Sequence, residues 1–204
     1  MEPKYQHLIY TVNQGVATIT LNRPEVYNAF NDLLTFEIQR ALKAVKQDSS
    51  VRVVVVTGAG KAFCSGQDLK DASADPNRVF SESIRNRYNP MIRAIRRLPK
   101  PVICRLNGVA AGAGCSLALA CDLILAAETA QLIEVFVNIG LVLDSGSSYF
   151  LPRAVGYSRA FELASMGNKV SAKQACDWGM VNQVVPLVSL DDLVKEYTDY
   201  YAQA

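Results

Sequence analysis

Apolar and polar or small residues alternate along Leu8–Val12 and again along Val16–Leu21, with Asn13-Gln14-Gly15 between them. A period of two broken by turn residues predicts a β-hairpin. Asn22-Arg23-Pro24-Glu25 ends the second strand. The period then changes: after Asn31-Asp32, which can cap a helix, Leu33, Leu34, Phe36, Ile38, Ala41, Leu42 and Val45 recur at helical spacing to about Gln47. Val51–Thr57 is a nearly continuous apolar run, which predicts a strand covered on both faces. Asp71–Asn77 is polar and reads as a loop. Val79–Leu98 reads as a helix that Pro99-Lys100-Pro101 ends. Further on, Ser158–Met166 and Ala172–Trp178 read as short helices with Gly167 and Gly179 as C-caps, Val181–Val185 as an extended piece, and Leu190–Tyr201 as a last helix.

The stretch from Val102 to Ala127 organises the chain. An apolar strand leads into glycines at 108, 112 and 114, then a helix of small residues, then a second apolar strand. Such glycines let the backbone turn sharply and approach a neighbour closely. The first amides of the helix have no carbonyl partner within it and carry the positive end of its dipole. The turn therefore either packs a strand tightly on a helix or holds an anion, or an oxygen about to become one. Gly66, ahead of another expected helix, offers a second place for a backbone amide to face a ligand. The alternation of strands and helices argues for an α/β layered fold.

Composition narrows the chemistry. The 204 residues carry a formal net charge of +2, which gives no bias toward nucleic acid or a membrane surface. Cysteines 64, 104, 115, 121 and 176 form no CxxC pair and read as buried hydrophobes in a reducing compartment. The one histidine, His7, reads as a solvent-facing residue of the first strand, so a Ser-His-Asp hydrolase or a histidine metal site has almost nothing to work with. Met1–Tyr5 lacks a signal-peptide core, and Gly112, Gly114 and Asp122 break the apolar run 109–127 as a membrane span, so the expected location is cytoplasmic. Gly58, Gly60 and Lys61 lack the spacing of a phosphate loop, and Gly112-x-Gly114 is only a fragment of a dinucleotide fingerprint.

Arg85, Arg87, Arg93, Arg96 and Arg97 lie along the expected helix 79–98. They read as a solvated face; the alternative is a basic patch for a phosphorylated ligand. Asp144 sits in apolar company, where desolvation would raise its pKa and suit it to act as a base near neutral pH. Equally, Asp-Ser-Gly can be a simple turn, or Asp144 can cap a helix starting near Ser145. Glu134 is the other acid of this segment.

Together, Leu21-Asn22-Arg23-Pro24, Lys61 through Leu69 (KAFCSGQDL), Pro101 through Asp122, and Gly140 through Arg153 resemble the crotonase superfamily, the enoyl-CoA hydratase/isomerase family, from about Tyr10 to Pro186. The segment Val137 through Arg153 is most similar to the isomerase branch associated with phenylacetate degradation. The resemblance implies one domain over residues 1–204 with a crotonase-like (ClpP/crotonase) spiral of ββα units, an acyl-CoA thioester as ligand, no cofactor beyond the coenzyme A of the substrate, and a homotrimer or hexamer. It places an oxyanion hole at the amides of Gln67 and Ala113, substrate contacts at Ala62, Ser65, Gly66, Asp68, Leu69, Gly112 and Phe136, and the acid at Asp144. Arg23 and Lys61 are candidates for the CoA phosphates. The two glutamates that ordinary hydratases use to activate water match Ser116 and Phe136 here, so an isomerase with Asp144 as the proton carrier is expected rather than a hydratase. A 2-enoyl-CoA hydratase that holds water differently, a non-catalytic binding module and a ClpP-like protease with Ser116 as nucleophile are rivals; the lack of a well-placed histidine counts against the last. Family members usually carry a further helical segment after the equivalent of Pro186, which is largely absent here.

Overall fold

The expected hairpin forms the start of the molecule: β1 (Leu8–Asn13) pairs antiparallel with β2 (Val16–Leu21). The computed structural model describes residues 4–74 and 77–203. Met1–Pro3 of the N-terminal pattern, and Asp75 and Pro76 of the expected polar loop, lie outside the described residues. His7 precedes β1 rather than lying in it, and is half-buried. Its N–H and that of Gln6 donate to the buried Glu37 carboxylate at 2.8 and 2.7 Å, which ties the chain start to the first helix.

That helix, α1 (Asp32–Gln47), begins where the Asn31 side chain accepts from the Leu34 N–H at 2.9 Å. Next come β3 (Val53–Gly58), β4 (Ala62–Cys64) and α2 (Leu69–Ser73). The expected loop over 71–77 is thus partly helical: the Asp68 side chain accepts from the Asp71 N–H and caps a helix too short to show a period. The helix expected over 79–98 is divided. α3 (Phe80–Ser83) passes into a π turn over Ile84–Tyr88, then α4 (Asn89–Arg96). Pro90 has no N–H to give the next turn, and the turn before it is wound one residue wide, with Asn89 donating to Ile84.

β5 (Val102–Leu106), β6 (Val109–Ala111) and α5 (Ala113–Ala120) follow, then β7 (Leu123–Ala127) and β8 (Gln131–Ile133). A 3-10 helix (Val135–Ile139) leads to α6 (Ser147–Val155) and α7 (Tyr157–Met166). β9 (Lys169–Ser171), α8 (Ala172–Asp177), β10 (Gln183–Val185) and α9 (Leu190–Gln203) complete the chain. One sheet runs β1-β2-β3-β5-β7-β10 and the other β4-β6-β8-β9. Successive strands alternate between the sheets as β3/β4, β5/β6 and β7/β8; pairing is parallel from β2 through β7 in one sheet and from β4 through β8 in the other, while β8 and β9 pair antiparallel. This is the expected spiral of ββα units.

The valine run of β3 is apolar because both of its faces are covered. Val54 and Val56 face the main core with α1, whereas Val53 and Val55 pack in a second cluster under Leu190, Leu193 and Val194 of α9. Four cysteines, 64, 104, 115 and 121, are buried and all five are free thiols. No helix among the described residues is long and apolar enough to cross a membrane. Every residue of α5 is buried. A Cβ at Gly114 would stand 2.3 Å from the Cys64 carbonyl oxygen. Only glycine lets α5 and β4 come this close, and that approach brings the ends of β4 and β6 together.

Candidate active site

Two backbone turns form one wall of the site. β4 runs into Gly66, which has φ of +89°. The Phe30 N–H donates to the Gly66 carbonyl at 2.7 Å and the Asp68 N–H to the Phe30 carbonyl at 2.9 Å. This single bridge turns the Gln67 N–H the opposite way, where no protein acceptor meets it among the described residues. The second turn follows β6. Gly112, at φ +51° and ψ −126°, donates to the Ile133 carbonyl at 2.9 Å and precedes Ala113, the first residue of α5. The Ala113 N–H thus lacks an intrahelical partner. The turns touch: a Cβ at Gly66 would lie 2.8 Å from the Ala111 carbonyl oxygen and 3.5 Å from the Ala113 nitrogen.

The other wall carries the acid. Asp144 lies between the 3-10 helix and α6, beside two left-handed residues, Ser145 (φ +50°) and Gly146 (φ +87°). A buried non-glycine residue in that conformation is strain of the kind that collects at functional loops. The Asp144 carboxylate accepts from the Ser145 hydroxyl at 2.7 Å. Its carbonyl accepts from the Ser147 N–H at 2.9 Å and the Ser116 hydroxyl at 3.2 Å. The Asp144 side chain does not cap α6, which starts at Ser147 with no side-chain cap. Burial raises the Asp144 pKa above the ordinary carboxylate value, with the Ser145 hydrogen bond opposing it. Behind it, Glu134 is buried with Oε1 accepting from the Ser147 hydroxyl at 2.7 Å, and burial pushes its pKa up to about 7.

Both walls meet around a cavity of about 260 Å³. Of the residues expected from the resemblance, Ser65, Gly66, Gln67, Leu69, Gly112, Ala113, Phe136 and Asp144 line it. Ala62 and Asp68 do not. The Ala62 carbonyl is buried against Asn28 and Asn107, and Asp68 is ion-paired with Arg23 at 3.0 Å while capping α2. Arg23 is therefore turned inward, its guanidinium also donating to the Ala29 carbonyl, which removes it as a phosphate ligand. Lys61 remains exposed. Ser116 has no exposed surface; it bonds Gly112 and Asp144 carbonyls and stitches the two walls together.

The reading of the helix arginines as a solvated face holds for Arg85, Arg93, Arg96 and Arg97 but not for Arg87, which is only 4% exposed and lines the cavity. Arg87 is ion-paired with Asp32 and donates to Gln67 Oε1 at 3.3 Å. The Tyr88 hydroxyl donates to the same oxygen at 2.5 Å. Gln67 Nε2 in turn donates to the Phe30 and Asp68 carbonyls at 2.9 and 3.1 Å. The Gln67 side chain is thus held at both ends, which fixes the direction of its backbone amide. Arg87 and Tyr88 belong to the π turn, and Pro90 inside a helical pattern was the available signal for it.

Gln67, Ala113 and Asp144 thus line one cavity on a crotonase-type spiral, and that fold defines a class of proteins. The chain belongs to the enoyl-CoA hydratase/isomerase family, whose signature matches residues 11–203. It is 44% identical over 200 residues to the 1,2-epoxyphenylacetyl-CoA isomerase of Escherichia coli, covering 97% of this chain and 76% of that protein. It is 38% identical over 183 residues to the trans-2-decenoyl-acyl-carrier-protein isomerase of Streptococcus mutans, covering 88% and 70%. The crystal structure of an enoyl-CoA hydratase from Bacillus anthracis matches with a TM-score of 0.93 at 33% identity, covering 98% of this chain and 78% of that one.

Proposed function

We propose that this enzyme is an acyl-CoA isomerase that moves a proton between carbons of a thioester-bound acyl group. The observation that carries the reading is that Asp144 is, among the described residues, the one carboxyl group lining the cavity that Gln67 and Ala113 also line. The thioester oxygen sits between the N–H groups of Gln67 and Ala113. Asp144 takes a proton from carbon next to the carbonyl, or conjugated with it, and negative charge moves onto the oxygen, where the two amides stabilise it as an enolate. Asp144 then returns the proton to another carbon. The double bond shifts, and no water is consumed. An epoxide-to-oxepin rearrangement of a ring thioester could draw on the same enolate support.

Water addition finds no second carboxyl in the cavity among the described residues: Ser116 is committed to two carbonyls, Phe136 is apolar, and Glu134 lies outside the lining. Ser65, Gly66, Leu69, Gly112 and Phe136 contact the acyl thioester in this reading. Coenzyme A arrives as part of the substrate, and the reading calls for no resident cofactor. Assembly as a homotrimer or hexamer belongs to the same proposal; the exposed Tyr157, Phe161 and Met166 of α7 support it, and the mass in solution tests it.

The test is incubation with a 3-enoyl-CoA and, separately, a 2-enoyl-CoA, with products identified by mass. A double-bond shift without mass gain is expected. A gain of water from the 2-enoyl substrate would replace the isomerase with a hydratase.

A further inference from the structure

Glu134 is a second carboxyl that the proton transfer described above leaves unused. It follows β8 directly, is 2% exposed, and forms no part of the cavity lining. Its Oε1 accepts from the Ser147 hydroxyl at 2.7 Å, while its Oε2 has no hydrogen-bond partner. The backbone N–H of that same Ser147 donates to the Asp144 carbonyl at 2.9 Å. One serine thus links the end of β8 to the loop that carries the acid.

We propose that Glu134 is a positioning residue, which latches Ser147 and so holds the Asp144 loop in place against the two oxyanion amides. The proposal rests on the isomerase reading, because it needs Asp144 as the proton carrier. The loop requires an anchor. Ser145 and Gly146 are both left-handed, and a serine leaves that region readily when nothing holds it.

The latch works as a neutral acid. A buried carboxylate with one unpartnered oxygen is costly, and the neutral acid costs less. The titratable groups facing Glu134 are the Cys115 thiol of α5 and Asp144, whose negative charge opposes a second one. Tyr88, on the π turn, faces Asp144 instead. Burial places the Glu134 transition at about 7. Above it, two carboxylates share a buried corner, and their repulsion displaces the loop.

The test compares wild type with Glu134→Gln and Glu134→Ala, measuring kcat and KM for the double-bond shift of a 3-enoyl-CoA between about pH 5 and pH 9. Wild-type kcat falls on the alkaline side with an apparent pKa near 7. Glu134→Gln keeps a neutral hydrogen-bonding group, so it holds kcat within about threefold at the acid end and loses the alkaline fall. Glu134→Ala lowers kcat by about tenfold at every pH and moves KM by less than about twofold. A wild-type profile without that fall, an unchanged fall in Glu134→Gln, or full kcat in Glu134→Ala would overturn the latch. If the alanine variant does not fold, the profile of the glutamine variant decides alone. Asp144→Asn, run alongside, separates the two claims: full turnover there overturns the isomerase reading itself, whatever Glu134 does.

Discussion

The amide wall of the cavity is backbone packed solid. Gly114 leaves no space between α5 and the Cys64 carbonyl, Gly66 leaves none beside the Ala111 carbonyl, and Gly66 and every residue of α5 are buried. The acid wall is side chains on a looser segment, where Ile139 is 50% and Val142 84% exposed and hydroxyls of Ser116, Ser145 and Ser147 supply the ties. The contrast separates two kinds of chemistry. An amide points where the chain geometry sends it, and it does not titrate. A carboxylate acts according to its burial and its neighbours, so pH or one substitution can change it while the thioester side stays intact.

The largest expected effect breaks the acid wall alone. Asp144→Asn lowers kcat for the double-bond shift by about a thousandfold, within the usual contribution of a general base, while thioester affinity stays within about twofold. Calorimetric titration beside turnover checks both halves. Breaking the amide wall costs less in rate but carries structure with it. Gly66→Ala puts a methyl 2.8 Å from a carbonyl oxygen at a φ of +89°. A fall in kcat of about a hundredfold is expected from a displaced oxyanion donor, together with a lower melting temperature.

Glu134→Gln should sharpen the comparison by acting on the acid wall without harming it. The folded value of about 7 lies above the ordinary 4.5, so the native state holds this proton more tightly than the unfolded chain does. Its contribution is most favourable below about pH 4.5 and is lost as pH rises through 7. Glutamine does not titrate, so the variant gains on wild type across that window, by up to about 3 kcal/mol at the alkaline end. Urea unfolding at several pH values measures it. The smallest effect belongs to Tyr88→Phe. It removes the 2.5 Å bond to Gln67 Oε1 but leaves the other three to that side chain, at a cost of about 1 kcal/mol in stability and a few-fold in kcat.

The same division governs how much was legible in the sequence. The hairpin, α1 and the valine strand follow from periodicity, and the two amide turns from glycines at 66, 112 and 114, because close approach leaves its mark on the sequence itself. The polar stretch from Asp71 reads as loop although α2 runs to Ser73, since five residues show no period. Arg87 looked like one more residue of a solvated stripe; a wide turn ahead of Pro90 rotates it and Tyr88 into the cavity, which no helical wheel displays. Asp144 was visible as an acid in apolar company, but whether it caps α6 or faces the site depended on Ser145, Ser116 and Ser147. Ala62 and Asp68 share a motif with true lining residues and yet bond inward, as Arg23 does from another motif. Glu134 was noticeable only as a charge, because its partner is thirteen residues away.

The central claim is that Asp144 carries a proton to and from a thioester enolate held by Gln67 and Ala113. Its most direct test is exchange of solvent deuterium into the carbon next to the carbonyl of a bound, saturated acyl-CoA, followed by mass in wild type and in Asp144→Asn. The account predicts exchange by wild type and none above background by the variant, with both binding the thioester equally. Equal exchange by the variant, or no exchange by a wild-type protein that binds the thioester, would contradict it.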